Sequence, residues 1–389
     1  MSARPASSPS TIAAPATAAV AVTRLDLSDF RCYRSARIDL DSRPVALAGP
    51  NGAGKTNLLE AVSMLAPGRG LRRARLGEID RIGGGAWTVA ATVATAAGPV
   101  AVGTGRDPDG EGRERRLVRI DGAAQRGQTA LAQVLNIVWL TPQMDRLFLE
   151  GGTARRRFLD RLVYGFDPDH AGRVSAFEQA ARERGRLLRE RPDDRAWLEA
   201  VEETMAAQGV AITAARLSLV AELDRATSEG IGPFPRARLA IEGGIEEWLA
   251  AMPALAAEDR LRSALAAGRR ADAASGSAGV GPHRSDLQVR HALKDMPAEQ
   301  CSTGEQKALL LSIVLADARL QAAQRGTVPV LLLDEVAAHL DEARRTHLYD
   351  EVLALGGQAW LTGTDAALFA PLGPAAQHLR VVDAVVTPR

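Results

Sequence analysis

Along the first third of the chain, apolar and polar positions fall into short runs bounded by turn residues. Arg24-Leu25-Asp26-Leu27 and Ala36-Arg37-Ile38-Asp39-Leu40 have the two-residue period of half-buried strands. Pro44-Val45-Ala46-Leu47-Ala48 is apolar throughout, as a strand buried on both faces is. A glycine-rich turn follows, and then Leu58, Leu59, Val62 and Leu65 fall at helical spacing within residues 57–65. Strand-like runs return at residues 87–94, 100–103, 117–120 and 137–140. From about Thr153 to residue 225 the composition shifts to Arg, Glu, Ala and Leu with few breakers. This predicts long amphipathic helices, with Thr153 as an N-cap. A second helical stretch covers residues 245–270 with a break at Pro253, and residues 271–281 read as a loop. From Asp286 strand and helix signals alternate. Residues 328–333 form a buried strand that tolerates Pro329 near its start, and Ala359-Trp360-Leu361 and residues 379–382 are further strands.

The predicted fold class is therefore α/β: a mixed body at residues 23–140 and 281–389, split by a mainly helical lobe at 141–280. Residues 1–22, rich in Ala, Ser, Pro and Thr, read as a disordered tail. Pro5, Pro9 and Pro15 break any secretory signal, and no run of eighteen apolar residues would span a bilayer. Aromatic residues make up only 4%, so the core is built mainly from Ala, Leu and Val. Cys32 and Cys301 lie far apart without metal-ligand spacing, which fits a reduced, cytoplasmic compartment. The six histidines show no H-x-x-x-H pattern, which argues against a zinc enzyme. Net charge is +1, so nucleic-acid binding would need local patches. The cations are almost all arginine; lysine occurs only at Lys55, Lys294 and Lys307.

Gly49-Pro50-Asn51-Gly52-Ala53-Gly54-Lys55-Thr56 fits the phosphate-loop pattern G-x-x-x-x-G-K-[ST], between a buried strand and an apolar-periodic helix. Glycines let the backbone N–H groups turn inward on phosphate oxygens, and the helix adds its positive end. Lys55 would reach the β- and γ-phosphates of ATP, and the Thr56 hydroxyl would ligate Mg²⁺.

A second motif, Val330-Leu331-Leu332-Leu333-Asp334-Glu335, is an apolar strand ending in two acids. Asp334 would hold the magnesium shell, and Glu335 would orient or deprotonate the attacking water. Alone, such a strand end is equally well an accident of polarity. Seven residues on lies Asp341, whose spacing is similar to the D-loop of ABC-type ATPases. His339 beside it has no acidic partner at defined spacing and reads as a surface residue. Upstream, Ser302-Thr303-Gly304-Glu305-Gln306-Lys307 opens a helical run. A serine there caps its own helix. The same geometry also offers a hydroxyl and N–H groups to an anion, and Ser302 and Gly304 resemble the S-x-G-x-Q signature that caps the γ-phosphate bound by a second subunit.

Further segments narrow the resemblance to the RecF family of that superfamily. They are Asp29-Phe30-Arg31-Cys32-Tyr33-Arg34, Pro67-Gly68-Arg69-Gly70-Leu71-Arg72, Leu140-Thr141-Pro142-Gln143, Arg155-Arg156-Arg157-Phe158-Leu159-Asp160, Gly281-Pro282-His283-Arg284-Ser285-Asp286-Leu287 and Thr362-Gly363-Thr364-Asp365. Ser285 and Gly363 depart from the family's usual Asp and Thr. Gln143 stands where many relatives have Glu and resembles the Q-loop amide that binds Mg²⁺ or water. The resemblance implies an ABC-type ATPase head with a helical lobe, ATP and Mg²⁺ as cofactors, and an ATP-dependent homodimer. It also implies slow hydrolysis stimulated by DNA, and binding to single-stranded and duplex DNA at gap junctions. RecR and RecO would be partners in loading RecA and in SOS induction, with no membrane involved.

Arginine clusters at Arg72, Arg73 and Arg75, at Arg155, Arg156 and Arg157, at Arg182, Arg184, Arg186, Arg189 and Arg191, and at Arg269 and Arg270 are candidates for DNA phosphates. For residues 182–191 a solvated face paired with Glu183, Glu190 and Asp194 is the better reading. Arg155, Arg156 and Arg157 are expected to act on DNA, because unpaired cations at a helix start oppose the dipole. A transporter ATPase subunit is the rival reading, but the L-S-G-G-Q signature and switch histidine are absent. A nucleotide-binding protein with almost no turnover is a third.

Overall fold

The computed structural model describes residues 18–108 and 115–389. Its first part runs β1 (Ala18–Ala19), β2 (Ala21–Phe30), β3 (Tyr33–Asp39), β4 (Val45–Ala48), α1 (Lys55–Ser63), β5 (Thr88–Thr95), β6 (Gly98–Arg106), β7 (Arg116–Ile120), β8 (Ala123–Ala124) and β9 (Ile137–Leu140). The middle carries α2 (Gly152–Tyr164), α3 (His170–Glu190), α4 (Arg195–Glu229), β10 (Ala237–Glu242), α5 (Gly244–Ala251) and α6 (Ala254–Ser275). The last part runs β11 (Asp286–His291), β12 (Met296–Pro297), α7 (Thr303–Arg325), β13 (Thr327–Val328), β14 (Val330–Leu333), α8 (Glu342–Leu355), β15 (Ala359–Gly363), β16 (Gln377–Val382) and β17 (Val385–Pro388).

Two six-stranded sheets form the body. One has the order β17-β16-β4-β15-β14-β9 and is parallel except for β17. The other, β3-β2-β5-β6-β7-β8, is antiparallel. The fully apolar strands serve two cores at once. Val45 and Leu47 of β4, with Val330 and Leu332 of β14, face α1 and the antiparallel sheet. Ala46, Ala48, Leu331 and Leu333 face the opposite core, which contains α7. The period-2 alternation of a strand explains this division. Gln358 is fully buried between the sheets: its oxygen accepts from Val22 N and Trp360 Nε1, and its amide donates to Val22 O and Asp41 O. All four bonds satisfy an otherwise costly buried amide.

Several expectations are corrected. Of the tail predicted at residues 1–22, residues 1–17 lie outside the described residues, but Ala18–Ala19 and Ala21–Val22 are strand. They pair with Thr327–Val328 and with Val93–Ala94. Thr153 is not the cap of α2, which Gly151 precedes. The expected loop at 271–281 starts late, because α6 continues to Ser275. The strand expected at 328–333 is two strands separated by Pro329, which has no N–H for a ladder.

The arginine expectations also change. Arg155 is engaged by Asp286 (2.6 Å), and Arg156 donates to Ser285 O and Thr153 Oγ1, so two of the three cations tie α2 to the segment before β11. Only Arg157 is left exposed without a partner among the described residues. In the 182–191 cluster, Arg186 does pair with Glu183, and Arg182 with Glu178. Arg184, however, is no solvated residue. It is 2% exposed and joins three helices, donating to Glu202 of α4, Asp272 of α6 and Leu265 O. Arg269 completes the charge balance at Glu202. Among the described helices α4 alone is long and apolar enough to cross a bilayer, and half of that stretch is buried in the fold. Its interior also carries Glu202 and Arg216, the latter bidentate to Asp160 of α2.

Removing Arg184 leaves the buried Asp272 without its cation and Glu202 with Arg269 alone, which costs about 3–5 kcal/mol. Arg184→Ala should therefore lower the unfolding free energy of the helical region by that amount, taken from a urea titration followed by circular dichroism. A midpoint unchanged within error would show that the clasp is dispensable.

Candidate functional site

The turn from β4 to α1 is shaped by glycines for two separate reasons. A Cβ on Gly49 would lie 2.0 Å from Val381 O on the neighbouring β16, so only glycine fits. Gly52 (φ 79°) and Gly54 (φ 110°) are left-handed, which L side chains avoid. Tyr33 OH donates to Gly54 O (3.1 Å), clamping the end of the turn from β3. No acid stands in the first turn of α1, so its N–H groups and positive end face outward uncompensated. Lys55 is buried, and its ammonium donates to Gly49 O (2.7 Å) and Pro50 O (2.9 Å). Desolvation lowers its pKa, opposed by the charges of Glu335 and Asp334. Pro50, Asn51 and Gly52 are exposed, while Ala53 is packed beneath. This is an anion cradle with one cation folded into it.

The carboxylates arrive from the other motif. Asp334 closes β14, and its N–H donates to Leu140 O of β9. Its Oδ1 accepts from Thr56 Oγ1 (3.1 Å) and from Thr362 Oγ1 (2.7 Å). Burial raises its pKa, the two hydroxyls lower it, Glu335 raises it and Arg72 lowers it. Thr362 Oγ1 in turn accepts from Glu335 N (2.9 Å). Glu335 sits in the left-handed region at φ 55°, strain of the kind that clusters at functional sites. Both acids open onto a cleft lined also by Thr141, Pro142, Asp145 and Lys307. Thr56 and Asp334 offer hard oxygen donors, a set that suits Mg²⁺ with phosphates and water completing its shell. A cation there would also relieve the cost of ionising a buried carboxylate.

The remaining expected residues are placed less directly. Gln143 lies on a 3-10 turn just after β9, at the edge where Leu140 pairs with Leu333. It is exposed and makes no hydrogen bond among the described residues. Ser302 caps α7 in a capping box: its hydroxyl accepts from Glu305 N, and the Glu305 carboxylate accepts from Ser302 N (3.0 Å). Lys294 pairs with Glu305, and that contact with the Ser302 bonds holds the Glu305 carboxyl down at about 2. Gly304 has open space around it. Asp341 caps α8 by accepting from Arg344 N (2.8 Å). Within one chain Ser302, Gly304 and Asp341 bond to neither the loop nor its carboxylates.

Two contributors left little sign in the sequence. Thr362 was visible only as part of a family-like segment, because a hydroxyl on a buried strand names no partner. Glu60 is fully buried on α1 and accepts from Arg31 (2.6 and 2.8 Å) and Arg72 (3.0 Å). An acid inside the apolar run Leu58-Leu59-Glu60-Ala61-Val62 was the available signal, since buried carboxylates need partners.

A model of the RecF/RecN/SMC N-terminal domain matches residues 21–359. The chain is 50% identical over 373 residues to the DNA replication and repair protein RecF of Rhizobium meliloti (strain 1021), covering 95% of this chain and 99% of that one. It is 49% identical over 372 residues to the protein of the same name from Agrobacterium fabrum (strain C58 / ATCC 33970), covering 95% and 98%. A solved structure of the recombination mediator protein RecF with ATP, of the RecFOR pathway, superposes with a TM-score of 0.82 at 21% identity, covering 96% and 100%. The Smc head domain from Pyrococcus furiosus, with an extended coiled coil, gives 0.54 at 18% identity, covering 95% of each chain. The fold is that of an ABC-type ATPase head.

Thr362→Val removes the hydroxyl shared by Asp334 and the Glu335 N–H. The stability cost should be about 1–3 kcal/mol, that of an unsatisfied buried N–H. Release of phosphate from ATP should fall by roughly tenfold or more, since positioning groups typically contribute that much, with nucleotide binding kept within a few-fold. Wild-type turnover in a phosphate-release assay would refute the positioning role.

Proposed function

The chain belongs to the RecF family of DNA replication and repair proteins, and we propose that it is an ATP-driven clamp on DNA at single-strand gaps. The observation that supports this best is the Thr56–Asp334–Thr362–Glu335 constellation, which sets a metal-ligating pair and a candidate base beside the lysine of an anion cradle. In this reading the N–H groups of residues 49–56 and the Lys55 ammonium bind the phosphates of ATP. Thr56, Asp334 and Gln143 would hold Mg²⁺, which would supply charge neutralisation for the phosphates. Glu335 orients the attacking water and takes its proton as the oxygen closes on the γ-phosphorus, while the bond from that phosphorus to the β–γ bridging oxygen breaks and ADP leaves with phosphate.

Closure needs a second copy. Ser302 and Gly304 at the exposed tip of α7, with Asp341 at the tip of α8, would meet the nucleotide held by the partner. ATP then contacts both copies only in the closed dimer, and that differential affinity shifts the equilibrium. Residues 23–140 and 281–389 act as the ATPase lobe, and 141–280 as the mainly helical lobe. Hydrolysis is slow and stimulated by DNA, and it reopens the dimer. The substrates are single-stranded and duplex DNA at gap junctions, in the cytoplasm. RecR and RecO would be its partners in loading RecA and supporting the SOS response.

Light scattering with ATP and gapped DNA tests the central claim. The wild type should dimerise only with both, Lys55→Ala should stay monomeric, and Glu335→Gln should accumulate as a dimer that outlasts the wild-type one. A Lys55→Ala protein that dimerises with ATP would refute the nucleotide-driven clamp.

A further inference from the structure

The loop that leaves α1 presents a cluster of cations that the nucleotide site does not use. Arg69 and Arg73 of this loop and Arg157 of α2 are all exposed. Among the described residues none of the three has a hydrogen bond or an ion pair. They nevertheless stand together. Arg157 and Arg69 are the cations that press on Arg73, and Arg161, one turn along α2 from Arg157, presses on it as well. Arg161 is itself held over the Trp139 ring at 4.2 Å. The other groups facing Arg73 are the Tyr164 phenol and Glu178, and Glu178 is already engaged by Arg182. Desolvation first, and these neighbouring cations second, lower the Arg73 pKa.

The platform beneath them is fixed. Arg116 donates to Gly68 O (2.7 Å), Ala66 O (3.3 Å) and Met64 O, holding three carbonyls of the loop with one guanidinium. Leu71 N donates to Ser63 Oγ (2.9 Å), and Arg72 is pinned to Glu60 and Asn57. Gly68, Gly70 and Arg73 all have positive φ, at 104°, 66° and 58°. A non-glycine held left-handed costs about 1–2 kcal/mol, and it persists only where the surroundings determine it. Like charges assembled on a strained, pinned loop and on α2, with no ion pair of their own among the described residues, are preorganised for an anionic ligand.

We propose that Arg69, Arg73 and Arg157 form a contact site for the phosphate backbone of duplex DNA. The proposal rests on the clamp reading above and names one surface that grips the nucleic acid. Guanidinium forks match paired phosphate oxygens, and such contacts fix position without reading sequence. An acidic protein partner would need apolar anchors. The exposed large apolar side chains, Ile82, Leu149 and Leu255 among them, lie outside both the loop and α2.

The test is fluorescence anisotropy of the full chain with ATP on a duplex carrying a single-strand gap, across a salt series. Arg73→Gly keeps the left-handed backbone, and Arg157→Ala sits on an exposed helix face. The double variant should bind DNA on the order of tenfold more weakly, and its slope of log affinity against log salt should be shallower by about 2, near 0.9 per lost phosphate. Arg69→Ala should remove about one unit and serves if the double variant folds poorly. Binding of a fluorescent ATP analogue should be unchanged, and Arg238→Ala, at an exposed position of β10, should match the wild type. Variants with wild-type affinity and slope would overturn the site and leave an acidic protein segment as its ligand. A wild type that fails to bind the gapped duplex would overturn the clamp reading, and the site with it.

Discussion

The chemistry of this molecule depends on β15 lying between β4 and β14 in parallel register. That placement brings Thr56, one residue into the helix after β4, to the end of β14, where its hydroxyl meets Asp334 across 278 residues of chain. β15 contributes Thr362, which binds Asp334 through its proton and the Glu335 N–H through its lone pair. A slip of one residue in any of the three strands would turn these side chains to the other face. Each of these strands also divides its side chains between two different cores, so the register that builds the site also sets which residues enter which core. Site geometry and core packing are thus one constraint.

A second constraint is how a chain rich in arginine keeps those charges inside a folded body. Most of the buried guanidiniums act as cross-braces. Arg184 ties α3 to α4 and α6, Arg216 ties α4 to α2 and to Pro282 O, and Arg116 ties β7 to the loop after α1. Each reaches several acceptors at once, which suits a planar donor with five N–H groups better than an ammonium. Arg216, through Pro282 O, and Arg155, through Asp286, fasten the helical lobe at segments that carry the family-like motifs. Asp160, for example, accepts both Arg216 and His170 and is almost fully buried. Those segments are therefore framework as much as chemistry.

This explains what the sequence made legible. Strands apolar on both faces, the helix after the glycine turn and the break at Pro253 were all readable, because local pattern alone decides them. The acid-tipped strand and the phosphate loop were readable as motifs, and their meeting through Thr56 and Asp334 followed once both were placed on parallel strands. Arginine partners were not readable. Arg184 and Arg186 differ by two positions in one helix, yet one is buried on Glu202 and Asp272 while the other pairs on the surface with Glu183. Arg155 and Arg156 looked unpaired because their acceptors, Asp286 and Ser285 O, lie about 130 residues away in sequence. Helix rotation and long-range packing decide such pairs, and neither is written in a local window. Glycines 49, 52 and 54 show the contrast within one turn. The last two answer a local backbone demand, and the first answers a clash with Val381 O that only the sheet order creates.

The use of lysine follows from the same physics. The chain places arginine nearly everywhere and lysine only at Lys55, Lys294 and Lys307. Lys55 donates to two carbonyls of its own loop from a buried position beside Gly49, where a Cβ already has no room. A compact ammonium with tetrahedral donors fits such a space, and a planar fork does not. Its two carbonyl bonds are also single contacts, each of which can be exchanged without breaking a bidentate pair. Lys307, near the start of α7, reaches Asp145 in the cleft beside Asp334, and Lys294 reaches the Glu305 that completes the Ser302 cap. In each case one ammonium serves one carboxylate at an element carrying a site residue. Arginine is the brace of this fold, and lysine stands where a single compact ammonium makes the contact.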